Sequence, residues 1–426
     1  MYTKLNENLQ QQIDKVQKKI TPILADCDRR SEELQWKVLS FFRHHRVTES
    51  HLNASTGYGY DDAGRDVLEQ IFAGCMGTEF ALVRPSIVSG THAIAIALQA
   101  ILRSGDHFLY ITGKPYDTLH PVIGYPDSEI VPGSLKDLGV SSDFINLTPQ
   151  GNIDLDAVEK AISPNTRMIC IQRSSGYANR PSIPVAEIKR AVSFIKINHP
   201  QIIIFTDNCY GEFVETEEPG AIGVDLIAGS LIKNPGGGLA KTGGYLAGKQ
   251  RLLPFIENRL TAPGIGSHGG ATHGHLRDYF QGLFLAPHVV NEAVKGAVFS
   301  AALLDECNFK TSPHWSEPRT DIIQKINLED RELLLQFCSK IQAYSPIDSH
   351  VTPTPDKMPG YQDTIIMAAG TFVQGSTIEL SADAPLRPPY TLFLQGGLTY
   401  AHTKLAVCHI VNQLLYTNSG VKCLLK

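Results

Sequence analysis

Apolar residues recur at three- and four-residue spacing from the start of the chain. Leu5, Leu9, Ile13, Val16 and Ile20 form one series, and Leu34, Val38, Leu39, Phe41 and Phe42 resume it beyond Pro22. That period predicts helix over about 5–45, with one face that needs a partner. From about 66 to 290 the pattern changes to short β-rich runs: FLYIT at 108, RMICIQ at 167, IIIFTD at 202, DLIAGSL at 225 and GGYLAG at 243. Between them lie helical stretches: THAIAIALQAIL at 91, DLDAVEKAI at 154 with Asp154 as N-cap, and PVAEIKRAVSFIK with Pro184 near its start. The strands are nearly all apolar, as expected when both faces of a sheet are covered, so the rhythm predicts a mainly parallel α/β sheet. After about 295 the rhythm breaks into Pro-rich SPHWSEPRT and HVTPTPDKMPG, then the strand candidates STIELS and TLFLQ and a last helix, AHTKLAVCHIVNQLLY. The expected organisation is a helical arm over 1–60, a large α/β domain over 61–295 and a smaller α+β domain over 296–426.

With 426 residues, 42% of them hydrophobic, the chain can bury a large core. A formal net charge of -5 with dispersed lysines argues against nucleic-acid binding, which needs a clustered basic footprint. Eight cysteines without a CxxC pair disfavour a zinc knuckle and a disulfide framework, and point to a reducing compartment. The polar N-terminus lacks the apolar core of a signal peptide, and no apolar run approaches the roughly 18 residues of a membrane span. The reading is a cytoplasmic protein without membrane association.

Three places carry candidate chemistry. In SGTHAIAIAL, Ser89, Gly90 and Thr91 form a small-residue turn running into a helix, where backbone N–H groups can meet an anion; an ordinary Ser/Thr N-cap is the competing reading. Asp207 ends an apolar strand, at the edge where open α/β sheets bind ligands, with an Asx-turn cap as the alternative. Lys233 follows the strand DLIAGSLI, with Ser230 three residues before it and Gly236, Gly237 and Gly238 leaving room for a planar ligand. Burial and nearby cations would lower its pKa and free the amine. Lys241, in the same glycine-rich loop, is the rival. GGGLAKT is not a phosphate-binding P-loop, because Pro235 and Ala240 stand where the motif needs glycine. His268, His273 and His275 lie in a glycine-rich loop whose spacing fixes no ligand geometry, so no metal is expected and a mobile loop is.

A lysine that can hold an aldehyde as a Schiff base, and a carboxylate that can keep a pyridine nitrogen protonated, are what pyridoxal 5′-phosphate chemistry requires. With STGYGYDDAGRDVLEQIFAG, LVRPSIVSGTHAIAIAL, TDNCYGEF, GSLIKNPGGGLAKTGGYLAG and LFLQGGLTYAH, the chain resembles fold-type-I pyridoxal-phosphate enzymes of Cys/Met metabolism. More closely it resembles the cystathionine β-lyase-like or methionine γ-lyase-family "aluminium-resistance" branch. The resemblance implies a carbon–sulfur lyase producing a 2-oxo acid, ammonia and a thiol; another pyridoxal enzyme, such as a transsulfuration synthase or aminotransferase, or a non-catalytic descendant, is the alternative. It implies Ser89, Gly90, Thr91 and Ser230 at the phosphate, Asp207 at the pyridine nitrogen, Lys233 as the Schiff-base lysine and Tyr116 stacked on the ring. It implies a homodimer or homotetramer in which Tyr58, Tyr60 and Arg65 are candidates to reach a neighbour's phosphate. Ile232 replaces the threonine usual before the lysine. For an amino-acid substrate's carboxylate the candidates are Arg387 first, then Arg319 and Arg173, since the guanidinium fork matches a carboxylate.

Overall fold

The computed structural model describes residues 5–125, 131–358, 361 and 363–417. The chain forms two compact units, Leu34–Ala286 and a second made of Met1–Glu33 with Pro287–Lys426. The helix Glu7–His44 is continuous through Pro22. By compactness it groups with the second unit as far as Glu33 and with the first from Leu34 on.

The unit Leu34–Ala286 is built on seven strands: β1 Phe80–Arg84, β2 His107–Tyr110, β3 Ser141–Phe144, β4 Thr166–Gln172, β5 Ile203–Asp207, β6 Leu226–Ser230 and β7 Gly244–Gly248. Their order is β1-β7-β6-β5-β4-β2-β3. The pairs from β3 through β6 are parallel, while β7 is antiparallel to both β6 and β1. GGYLAG therefore enters the sheet reversed. Its connection from β6, through the Lys233 loop, contains no α-helix to carry a crossover, so β7 returns antiparallel. The alternation of helices and strands did not disclose β1, which reads as one apolar block with its flanks, or β3, whose SSDF is polar because it is a partly exposed edge.

Register decides what meets at the carboxyl edge. Gln172 of β4 pairs with Asp207 of β5, and Asp207 with Ala228 of β6, two residues short of Ser230. Ser230 and Arg84 both pair with Gly244, so the end of β1, and the turn that leads to Ser89, emerge at the same edge. Behind them the buried residues Ile94, Ala97, Leu98, Phe108, Tyr110, Met168, Cys170 and Phe205 pack into one core.

The glycines after Lys233 serve packing and turn geometry rather than leaving space for a ligand. A Cβ on Gly236 would lie 1.8 Å from the Leu231 carbonyl oxygen, and one on Gly237, at φ +54°, would lie 2.3 Å from that of Gly282 in the helix Leu276–Glu306. The loop is pressed against a helix backbone, which a side chain would push away.

The second unit has six antiparallel strands, β8 Lys310–Ser312, β9 Ile323–Asn327, β10 Asp356–Lys357, β11 Thr364–Ala368, β12 Ser381–Pro385 and β13 Thr391–Gln395, in the order β10-β11-β12-β13-β9-β8. TLFLQ is β13, and AHTKLAVCHIV falls within the helix Tyr400–Val411. STIELS is not a strand: only Ser381 enters β12, and the Glu379 carboxylate instead accepts the N–H groups of Phe372 and Val373 at 2.8 and 3.0 Å, closing a loop. Among the described residues no helix is long and apolar enough to cross a membrane.

Gly236→Ala should destabilise the protein by about 1–3 kcal/mol through overpacking. The exposed change Lys241→Ala should stay within roughly 0.5 kcal/mol, both measured by denaturant unfolding.

Candidate active site

Helix Gly90–Ile101 starts at Ser89, whose hydroxyl caps it by accepting the His92 N–H at 3.1 Å. The capping reading of Ser89 is therefore realised, and it leaves the N–H groups of the first turn directed outward at the sheet edge. Gly90 faces the neighbouring strand ends: a Cβ there would stand 3.3 Å from Cys209 Sγ and 3.4 Å from Ser230 Cβ. Thr91 Oγ1 lies 2.8 Å from the Tyr116 hydroxyl, and the Tyr116 N–H donates to Gln172 Oε1 at 2.7 Å. Gln172, the register partner of Asp207, thus sets the segment that carries Tyr116.

Asp207 is 4% exposed and accepts the Cys209 N–H at 3.1 Å. Burial raises its pKa, opposed by the field of Lys233 and by that N–H, and no ion pair to it occurs among the described residues. Burial likewise raises the Tyr116 phenol, with the Asp207 charge adding to it. Lys233 Nζ lies 3.6 Å from the centroid of the Tyr210 ring. Burial opposes the charge on Lys233, but Tyr210, Cys209 and Asp207 outweigh it and hold the amine above the ordinary lysine range. The expected lowering is reversed, because the groups that surround this amine are a carboxylate, a thiol and an aromatic ring and not cations. Lys241 is mostly exposed and paired with Asp278 at 3.0 Å, which removes it as a rival.

Ser89, Gly90, Thr91, Tyr116, Asp207, Ser230 and Lys233 are thus brought to one edge of one unit. Other candidates lie elsewhere. Arg173 is fully buried, with Nη1 and Nη2 committed to Glu215 at 2.6 Å, Asn208 at 2.8 Å and Glu218 at 3.5 Å, so these donors serve the folded interior. Tyr58 and Tyr60 stack on each other, centroids 5.5 Å apart, at 78% and 55% exposure. Arg65 is buried and donates to the Gly59 and Gly270 carbonyls, which leaves it no reach to an outside phosphate. In the second unit Arg387 is half-exposed and paired with Asp363 at 2.5 Å. Arg319 is 5% exposed, and its Nε, Nη1 and Nη2 have no hydrogen-bond partner; burial pushes it down to about 10.

The histidine loop is fastened. Arg84 donates to the Ser267 and Gly269 carbonyls at 2.9 Å, and the His273 N–H donates to Ser55 O at 3.1 Å. Among the described residues no group of three potential ligands could hold a metal. Sequence reasoning missed Tyr210, Asn234 and Glu212, for which position after Asp207 or Lys233 was the only signal.

The family model "Methionine gamma-lyase" matches residues 9–415, and the chain belongs to that family. The uncharacterized protein YnbB of Bacillus subtilis is 54% identical over 400 residues, 94% of this chain and 95% of that protein. A Listeria monocytogenes crystal structure, provisionally described as a cystathionine beta-lyase involved in aluminum resistance, is 50% identical with a TM-score of 0.93, covering 95% of this chain and 100% of that one. A Campylobacter jejuni protein, provisionally described as an O-acetylhomoserine (thiol)-lyase and containing N′-pyridoxyl-lysine-5′-monophosphate, is 18% identical with a TM-score of 0.57, covering 85% and 94%. The last likeness shows the fold, that of fold-type-I pyridoxal-phosphate enzymes.

Below the edge Glu212 is fully buried, with Tyr245 OH donating to Oε1 at 2.8 Å and Oε2 unpartnered. Burial raises its pKa to about 8. A folded value above the ordinary carboxyl value of about 4.3 means that the folded state holds the proton more tightly, so this contribution is full below about pH 4 and is lost as pH rises to about 8. Unfolding free energies measured across that window should fall less steeply in Glu212→Gln than in the wild type; equal slopes would refute the assignment.

Proposed function

We propose that this protein is a pyridoxal-phosphate-dependent carbon–sulfur lyase that acts on sulfur-containing amino acids. With one water consumed, the products are a 2-oxo acid, ammonia and a thiol. The observation that carries the reading is the meeting of Lys233, Asp207 and the Tyr116–Thr91 pair at one sheet edge. The residues suit the cofactor. Asp207 is a buried carboxylate with no ion-pair partner among the described residues, a costly state that a protonated ring nitrogen would relieve. The first-turn N–H groups at Gly90 and Thr91, with Ser230 beside them, suit a phosphate.

When bound, pyridoxal phosphate supplies an electron sink that acidifies the Cα–H of an attached amino acid. Lys233 Nζ, protonated in the surroundings described, must first give up a proton to bond a carbonyl carbon; once released, it is the base that takes the Cα proton. Tyr116, its hydroxyl tied to Thr91 Oγ1, is within the field of Asp207 and Lys233 and can pass a proton toward a departing thiolate. The family model and the description of the Listeria relative support the sulfur-amino-acid class. Of the arginines that could meet a substrate carboxylate, Arg173 and Arg387 have guanidinium nitrogens paired with carboxylates, whereas Arg319 has no hydrogen-bond partner among the described residues. The exposed Tyr58–Tyr60 pair supports a self-associated enzyme in which this segment serves a neighbouring subunit.

Purified protein given pyridoxal phosphate should absorb near about 420 nm, and Lys233→Ala should not. A colourless wild type ends the cofactor reading, and a borohydride-reducible adduct in the variant ends the choice of lysine.

A further inference from the structure

The turn after Asp207 is strained. Tyr210 and Phe213, neither a glycine, adopt left-handed φ of +73° and +60°, a strained conformation that persists only where its surroundings enforce it. Within the turn the Gly211 N–H donates to Asn208 O at 3.0 Å, the Val214 N–H to Gly211 O at 3.1 Å and the Phe213 N–H to Glu218 Oε1 at 2.7 Å, and Asn234 reaches across from the lysine loop. Asn234 is fully buried, and its Nδ2 donates to the carbonyls of both Tyr210 and Glu212 at 2.9 Å each. Its Oδ1 is buried without a partner. Turning the amide over would set that oxygen against two carbonyl oxygens, so the donor assignment follows from electrostatics. The carbonyl that Asn234 grips belongs to Tyr210, whose ring lies 3.6 Å from the amine of the residue preceding Asn234.

We propose that Asn234 is a positioning residue for Lys233: by spending both amide protons on the Tyr210 turn, it holds the Tyr210 ring over the lysine amine. The inference rests on the reading of Lys233 as the reactive amine. Residue 234 and residue 210 are the two ends of one clamp, closed across the β5 and β6 loops. An ammonium over a ring face is favoured over a free amine, so the clamp keeps Lys233 charged and in place until a carbonyl compound enters. Lys233 is partly exposed, so small reagents can reach it.

The test uses cofactor-free full-length protein, and therefore does not depend on whether pyridoxal phosphate is the true ligand. Trace acetylation of Lys233 by acetic anhydride, quantified by mass spectrometry across pH, gives the midpoint at which the amine becomes reactive; a change in accessibility alone alters the rate and not the midpoint. Asn234→Ala should lower that midpoint by about one unit, which is about tenfold faster labelling at a fixed pH below it. Tyr210→Gly, which removes both ring and strain, should lower it equally. The double variant should go no lower than either single, because both changes open the same clamp. A folded Asn234→Ala protein, by far-UV circular dichroism, with the wild-type midpoint overturns the proposal, as do additive shifts in the double variant. If Asn234→Ala does not fold, Asn234→Ser, which keeps one donor, is held to the same criterion.

Discussion

A carboxylate buried at the end of a central strand is the constraint on which this site depends. Asp207 sits at 4% exposure with burial raising its pKa, and a charge in that position is tolerated only beside donors and cations. The Cys209 N–H and the field of Lys233 answer that demand. Lys233 in turn is held charged by the groups Asp207 gathers, and Tyr116 is lifted by the same negative field. Each group's protonation thus depends on the others, so the site behaves as one electrostatic unit.

The backbone around it is equally committed. Glycines 236 and 237 let the lysine loop lie against the helix at Gly282, and the Tyr210 turn is stapled from that loop by Asn234. Below, Arg173, Asn208, Glu215 and Glu218 form a buried network of ion pairs and hydrogen bonds. Such a network costs desolvation, but breaking it costs more, because any one deletion leaves an uncompensated charge inside.

Much of this was legible in one dimension. The apolar run before Asp207, the strand before Lys233 and the small turn at Ser89–Thr91 are local signals, and the structure brings their side chains to one edge. The polar edge strand at Ser141 and the reversed GGYLAG strand were not, since neither burial nor direction is written in a short run of residues. STIELS has a strand's composition, but Glu379 caps a loop there instead.

By itself the sequence determined the α/β alternation, the family and the chemistry-bearing residue types, because these rest on period, turn residues and motif order over short spans. Tertiary structure alone decided that Lys233 and not Lys241 lies in the field of Asp207 and against the Tyr210 ring, that its amine is held above and not below the ordinary range, and that Arg173 belongs to the interior. Those outcomes depend on which carboxylates, rings and carbonyls come within a few ångströms from distant segments. Coulomb and desolvation energies are set by that spatial distance, which spacing along the chain does not encode.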